Sequence, residues 1–468
     1  TGIVTPVINI SGGSIKGNRA SKDGGAIFSN SAILHISGGT LESNIAGSNG
    51  GAICAEGIQK EYGRHSKVYV EGGTFRGNSC GGNGGGAIYV AFFSELYVGE
   101  KGGRPLFENN RTSQLGGAIA LYQWASGKIY SADFIGNKTV AAISNNAGGG
   151  ALYINAGCSM EMKNLYVVGN TQKNTTTGGG GLYTCSTGRT AIFKSEGAFI
   201  ADNTGAGGGP ADIYFWGGNG ALAYVSDYVL GGADANWTRS NGSEAPELWG
   251  TSESFIIVSH VDDGGKATAE AIAREEGVVM EGNHSDSWGA AIANNGMLTI
   301  GTEELTLTVN KAWKGDETKV PDEILVYLMK KLNGGEWEKV TPGERKEDAY
   351  MILNQGNKWS YTWENLGSSK AVDWSVSEAA INGYTGTVSG PELDTKWDKV
   401  GKHYIITLTN TENPDAKTAS LQVEKQLFSS EADPNAEFTF TVSLDAEGPF
   451  AYRIWESNHK TEDLKPIY

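Results

Sequence analysis

Residues 77–81 read Gly-Asn-Ser-Cys-Gly and match G-x-S-x-G, the pattern that exposes a nucleophilic serine on a sharp turn. The surrounding stretch, GGTFRGNSCGGNGGGAIYV over 72–90, is also rich enough in glycine to suggest a phosphate-cradling loop. Neither reading meets its own requirements. The nucleophile needs a strand–turn–helix setting and a matched histidine, and sister stretches read GNRAS, SNIAG and NNRTS with no serine kept in place. The phosphate loop lacks G-x-x-x-x-G-K-[ST] and a following helix whose positive end would face the anion. The histidines (His35, His65, His260, His284, His403, His459) show no ligand spacing, and Asp133 and Asp262-Asp263 read as isolated strand-end and turn acids. No metal and no cofactor is expected.

Composition narrows the class further. The 468 residues exceed one ordinary domain, and 68 glycines stand against 11 prolines. There is no G-X-Y period, and aliphatic and aromatic residues recur between the glycines, so the chain can build a core. A net charge of −16 disfavours nucleic acid and anionic membrane as partners. No apolar run is long enough for a membrane helix. Cys54, Cys80, Cys158 and Cys185 form no C-x-x-C pair and read as buried or free thiols, or as disulfides across neighbouring coils. The opening TGIVTPV carries no signal peptide, which leads us to expect a processed or trimmed chain.

The elements that position these residues emerge from a repeat. ISGGSIKGNRASKDGGAIF (10–28), ISGGTLESNIAGSNGGAIC (36–54) and GGRPLFENNRTSQLGGAIA (102–120) align, looser copies follow, and GVVMEGNHSDSWGAAIA (277–293) is the last. The Asn closing each left half falls at Asn18, Asn44, Asn78, Asn110, Asn137, Asn170, Asn203 and Asn283, in steps of 26 to 34 residues until a final step of 80. Each unit offers three short β-runs, such as GGAIC, KVYV and GTFRG, that cannot bury a face alone. Pairing each run with its counterpart in the next unit predicts three parallel sheets, a right-handed parallel β-helix over 1–301 with an insertion at about 218–275. Glycines turn the corners, and the stacked asparagines predict an amide ladder.

Beyond NNGMLTIG glycine thins and alternating strands appear: LTLTVNKAW, EILVYLMKK, KWSYTWENL, DWSVSEA and HYIITLTN. These predict an antiparallel β-sandwich over 302–413. After TENPDAKT, the runs ASLQVEKQLF and AEFTFTVSL begin another β-domain over 414–468, too short to close and so expected to be truncated.

LTVNKAWKGD…VPDEILVYLMKK…WSYTWENL…WSVSEAAINGY…YIITLTNT resembles the collagen-adhesin B-type (Cna-B) repeat of Gram-positive surface proteins, an Ig-like sandwich. More loosely, the GN…GGAI coils resemble the β-helical heads that precede such repeats, and 414–468 resembles the first half of a pilin-type isopeptide domain. In the B-type family a first-strand Lys bonds covalently to a last-strand Asn with help from an acid. The resemblance assigns these roles to Lys311, Asn410 and Glu378. It also points to Lys425 as the corresponding lysine of the third domain.

Aromatics supply the candidate ligand surface. Phe92 and Phe93 of one coil and Tyr122 and Trp124 of the next share nearly the same offset, and Tyr214, Phe215 and Trp216 follow. Such a column could form a platform for sugar rings or a protein, or could simply cover the side of the coils. The expectation is a secreted, cell-wall-anchored surface adhesin or stalk, not an enzyme beyond autocatalytic bond formation. Its expected partners are a host glycan or extracellular-matrix protein, with peptidoglycan attachment through a missing C-terminal region. The alternatives are a β-helical polysaccharide lyase or glycoside hydrolase on the same stalk, and a purely structural spacer.

Overall fold

A computed structural model describes residues 5–413, apart from 59–63, 141–147, 174–178, 206–207, 219–221, 227, 240–241, 244–247, 250–253, 303, 333–334, 342–347, 368–371, 382 and 397–401. The β-domain expected at 414–468 and Lys425 lie outside the described residues. The chain divides into two compact units, 1–303 and 304–468, and is almost entirely β-structure.

The first unit winds coil upon coil. Among the described residues its strands form sheets of 16, 10 and 7 strands, in which each coil pairs in parallel register with the coils next to it. Ile53-Cys54-Ala55 pairs with Ile88-Tyr89-Val90, which pairs with Ile119-Ala120-Leu121. The GGAI corner explains itself at Gly85-Gly86. Gly85 has φ +70°, and a Cβ on Gly86 would lie 2.1 Å from the carbonyl oxygen of Gly117 in the next coil. KVYV and GTFRG are not separate runs but parts of one strand, Lys67–Arg76, bent at Gly73 with φ +92°. The third sheet comes instead from two-residue strands just after each Asn, such as Ser79–Cys80, Arg111–Thr112 and Lys138–Thr139. The four cysteines are free, three of them buried.

The coils do not stack in chain order. Ala132–Ile135 and Leu165–Val168 belong to consecutive repeats, yet Val278–Glu281 lies between them and pairs with both. The same holds for His284–Ser285, Ile292–Asn294 and Met297–Ile300, each paired on either side. The last repeat in sequence therefore occupies the middle of the stack. It reaches that slot through a helix, Asp263–Glu276, whose N-cap Asp262 accepts from the Gly265 N–H at 2.6 Å. The rest of the predicted insertion closes one end of the stack with antiparallel strands: Phe255–Val258 pairs with Ile213–Phe215, and Leu248–Trp249 with Leu222–Val225.

The asparagine ladder follows the spatial order. Nδ2 of Asn18 donates to Oδ1 of Asn44 at 2.9 Å, and the chain of amides continues through Asn78, Asn110 and Asn137. Asn137 then donates to Asn283 at 3.1 Å, Asn283 to Asn170 at 2.9 Å, and Asn170 to Asn203 at 2.9 Å. Every amide in the column points its donor the same way, so the column must end on an acceptor. That group is Asp212. One carboxylate oxygen accepts from the Asn203 amide and backbone N–H, and the other accepts the Ser259 N–H at 2.9 Å. Burial pushes its pKa up to about 6 despite those donors.

In the second unit, one four-stranded sheet runs Ser360–Gly367, Glu304–Lys314, Lys402–Glu412, Tyr384–Leu393. The other holds Glu323–Leu332 with Trp337–Lys339, Tyr350–Asn354 and Val372–Glu378. Leu307, Val309, Val326, Leu328, Trp363, Ile406 and Leu408 form its buried core. The first strand lies parallel to the last, with Lys311 opposite Leu408 and Trp313 opposite Asn410.

Candidate functional site

Three strands of the sandwich each run out of apolar residues at the same place. Inward positions read Leu307, Val309, Lys311 on the first strand; Val376, Glu378 on another; and Ile406, Leu408, Asn410 on the last. Period-two alternation thus aims an amine, a carboxyl and an amide at one point of the core. The Lys311 side chain is 0% exposed, with Nζ 3.1 Å from Glu378 Oε2. The other carboxyl oxygen, Oε1, accepts from Asn410 Nδ2 at 2.9 Å. The carboxyl therefore bridges the amine and the amide.

The surroundings favour the uncharged forms. Burial lowers the Lys311 pKa, although Glu378 opposes the shift, and burial raises that of Glu378, although Lys311 opposes it. Trp313 supplies much of the dry wall: its ring lies 4.4 Å from Lys311 Nζ and meets Trp359 and Tyr384 edge-on. Asn410 Oδ1 is buried with no hydrogen-bond partner, an open seat for a proton on the amide oxygen. Gly386 stands opposite Asn410, and a Cβ there would come within 2.9 Å of that oxygen. Sequence reasoning missed Trp313 and Gly386; the in-register position of Gly386 beside Asn410 becomes visible only once the strands are paired.

Residues 307–411 match the Cna protein B-type domain. This stretch of the chain is thus similar to a B-type domain. No curated protein matches the chain. Among solved structures it is similar to a single B repeat unit of the collagen-binding surface protein of Staphylococcus aureus, at 25% identity and a TM-score of 0.17, covering 27% of this chain and 57% of that one. A two-repeat form of the same protein has 19% identity and a TM-score of 0.17, covering 38% and 43%. The pilus adhesin SpaC of Lactobacillus rhamnosus GG has 15% identity and a TM-score of 0.18, covering 24% and 12%. The chain thus spans little more than half of the first of these structures and less of the others.

The outer face of the B-type domain carries a second polar chain that the sequence did not announce. Thr362 and Thr308 hydroxyls lie 2.7 Å apart, Thr308 Oγ1 is 2.7 Å from His403 Nε2, and His403 Nδ1 is 3.0 Å from Asp394 Oδ2. It crosses the sheet that contains the first and last strands, on the face opposite Lys311. No described helix is long and apolar enough to cross a membrane.

The aromatic candidates separate into two groups. Tyr214 and Phe215 are 6% and 0% exposed, so they belong to the packing of the coils and not to a ligand platform. Phe215 points inward, while Tyr214 stacks on Tyr183 at 5.7 Å. Phe92 and Tyr122 are half-buried and pack against the same outer apolar cluster. Trp216, 38% exposed, leans on Trp288 at 5.7 Å. Trp124 is 58% exposed and stacks on Phe93 with centroids 5.3 Å apart and planes 6° from parallel. Both sit in turns at positive φ, with Phe92 +54°, Phe93 +63°, Gln123 +46° and Trp124 +62°, where the next coil has Gly157 at +79°. Large side chains in that region carry strain that a glycine would avoid.

Proposed function

We propose that Lys311 and Asn410 become joined by an amide bond and that the B-type domain thereby serves as a locked stalk module of a bacterial surface adhesin. The observation that carries this reading is the carboxyl of Glu378 set between a buried amine and a buried amide. Neutral Lys311 Nζ attacks Cγ of Asn410 after the amide turns over, so that its unpartnered Oδ1 faces a protonated Glu378, which hydrogen-bonds and polarises it. The C–Nδ2 bond breaks, the one proton lost by the neutral amine ends on the departing nitrogen by way of Glu378, and ammonia leaves. The product, an amide between first and last strands, closes the sandwich against extension. Mass spectrometry of the denatured chain tests it. The wild type should be lighter than its sequence by one ammonia, and Lys311→Ala should match its own sequence mass. A wild type of unshifted mass sinks the proposal.

The coil stack would be the presented head. Within it, Phe93 and Trp124 are the strained, outward-facing aromatic pair best suited to a sugar ring or an apolar patch of a host matrix protein. An array of glycans and matrix proteins probed with wild type and Trp124→Ala reads this directly. Binding that Trp124→Ala leaves intact removes the corner from consideration, and an array without binding favours a spacer. Attachment to the cell wall belongs to the same reading.

A further inference from the structure

We infer that the repeat at 277–301 is a mechanical anchor, a coil threaded into the middle of the stack so that the head cannot be peeled away from the domain that follows it. Its connection is covalent and short: Met297–Ile300 leads through Gly301 and Thr302 into Glu304–Lys314, the strand that bears Lys311. Tension arriving through the B-type domain therefore enters the head at Ile300. A coil at the end of a stack has one seam, and a pull opens it one hydrogen bond after another. Val7–Ile10, Arg19–Ala20 and Ile27–Asn30, at the far end, are in that position, each paired on one side only.

The threaded coil has two seams in every lane. Met297–Ile300 pairs with Ser159–Met162 and with Arg189–Ile192, residue for residue. Its asparagine sits in the ladder from both directions, between Asn137 and Asn170. Val278, Val279, Met280, Ile292, Leu298 and Ile300 are buried between the neighbouring coils. Both ends of the coil are also tied. At the exit, Gly301 N–H donates to Met162 O at 2.8 Å and Thr302 N–H to Ser195 O at 2.9 Å. These contacts reach the coil below and the coil above, and Lys163 and Glu196, paired at 2.6 Å, join those two coils beside them. At the entry, Arg104 Nη1 donates to the carbonyls of Ala273 and Gly277, both at 3.0 Å, while Nε and Nη2 are held by the Asp133 carboxylate at 2.9 and 2.7 Å. Extracting the coil means opening two parallel ladders together, whereas the free end opens one.

This rests on the stalk reading only for its biological meaning; the order of unfolding is a property of the head whether or not Lys311 and Asn410 are bonded. The test is force spectroscopy on the full chain held by its two termini, with and without a 20-residue Gly/Ser insertion between Ile58 and Arg64. Coils should leave from the residue 7 end in steps of about 26–34 residues, ~90–120 Å of contour each at about 3.5 Å per residue. The insertion should lengthen one of the first two steps by ~70 Å. If the added length appears only in a late step, after 263–300 has been released, the anchor is wrong. Hydrogen exchange on the unmodified chain gives an independent reading. Amides of 278–300 should exchange at least ~100-fold more slowly than those of 7–30, as globally protected strands do relative to fraying ones. Equal rates would overturn the inference.

Discussion

In the coil stack every ladder asparagine has a counterpart one coil away, whereas in the sandwich Lys311, Glu378 and Asn410 each occur once. The stack spreads its cohesion over repeated seams, with buried amides satisfied in series from Asn18 to Asp212. The sandwich concentrates it at one point, where three strands exchange an apolar position for a reactive one. Repetition gives tolerance but leaves ends, and ends fray. The proposed single bond between first and last strands would leave no end to fray, but it would depend on every member of the site.

The largest effect should come from breaking the concentrated site. A bond between Lys311 and Asn410 closes a loop of about a hundred residues, and by analogy with a disulfide of that loop size it is worth ~4–5 kcal/mol. Lys311→Ala and Glu378→Gln should both lose the mass shift and lower the melting transition of the sandwich by that order in calorimetry. If Glu378→Gln keeps the bond, the carboxyl is not the proton carrier. Gly386→Val should act more selectively, because its side chain would crowd Asn410 Oδ1 and slow bond formation in a pulse-labelled sample without removing a reacting group.

Next in size is the ladder, where position decides the cost. Asn283→Leu strands donors and acceptors on both neighbouring coils in a dry core, at ~2–4 kcal/mol, while Asn18→Leu, at the open end, should cost under ~1 kcal/mol. Urea unfolding of the head distinguishes them, and equal costs would mean that the ladder is not cooperative. The contrast also marks what the sequence could reveal. The repeat disclosed the coils and their asparagines because each coil must satisfy the same corners. It could not disclose their order: any GN…GGAI repeat fits beside any other, and only the helix Asp263–Glu276 and the slot left after Met162 send 277–300 back into the middle. The sandwich site entered the sequence reading by a different route. The B-type resemblance pointed to Lys311, Glu378 and Asn410, and strand pairing adds why they meet: each takes an inward position next to apolar ones on its strand.

Asp212 lets pH probe the ladder's end. Its folded-state pKa is raised to about 6 by burial, so the native state binds the proton more tightly than the unfolded chain. Its contribution to stability is therefore greatest below the ordinary carboxylate pKa and is lost as pH rises through about 6, by on the order of 2–3 kcal/mol. Asp212→Asn removes this dependence and turns an amide N–H toward the Ser259 N–H that the carboxylate accepts. The variant should be less stable than the wild type, and by more at pH 4 than at pH 7. A difference that stays constant with pH would show that Asp212 does not titrate in this range.

The smallest stability change is expected where function is proposed. Trp124 at φ +62° carries backbone strain of about 1 kcal/mol, which glycine relieves, and its stacking on Phe93 contributes a similar amount that glycine forfeits. Trp124→Gly should therefore leave the melting temperature of the head nearly unchanged. Trp124→Ala keeps most of the strain, loses the ring, and should be the less stable of the two. Ladder residues cannot behave this way, because their side chains join coils and their backbone is not held in an unfavourable region for a purpose outside the fold. A corner that can be flattened without cost to the stack is one whose rings are kept for something other than folding, and a binding loss in Trp124→Gly with an unmoved melting temperature would separate the head's surface from its scaffold. A melting temperature that falls as far as in Asn283→Leu would instead make the Phe93–Trp124 pair another structural seam.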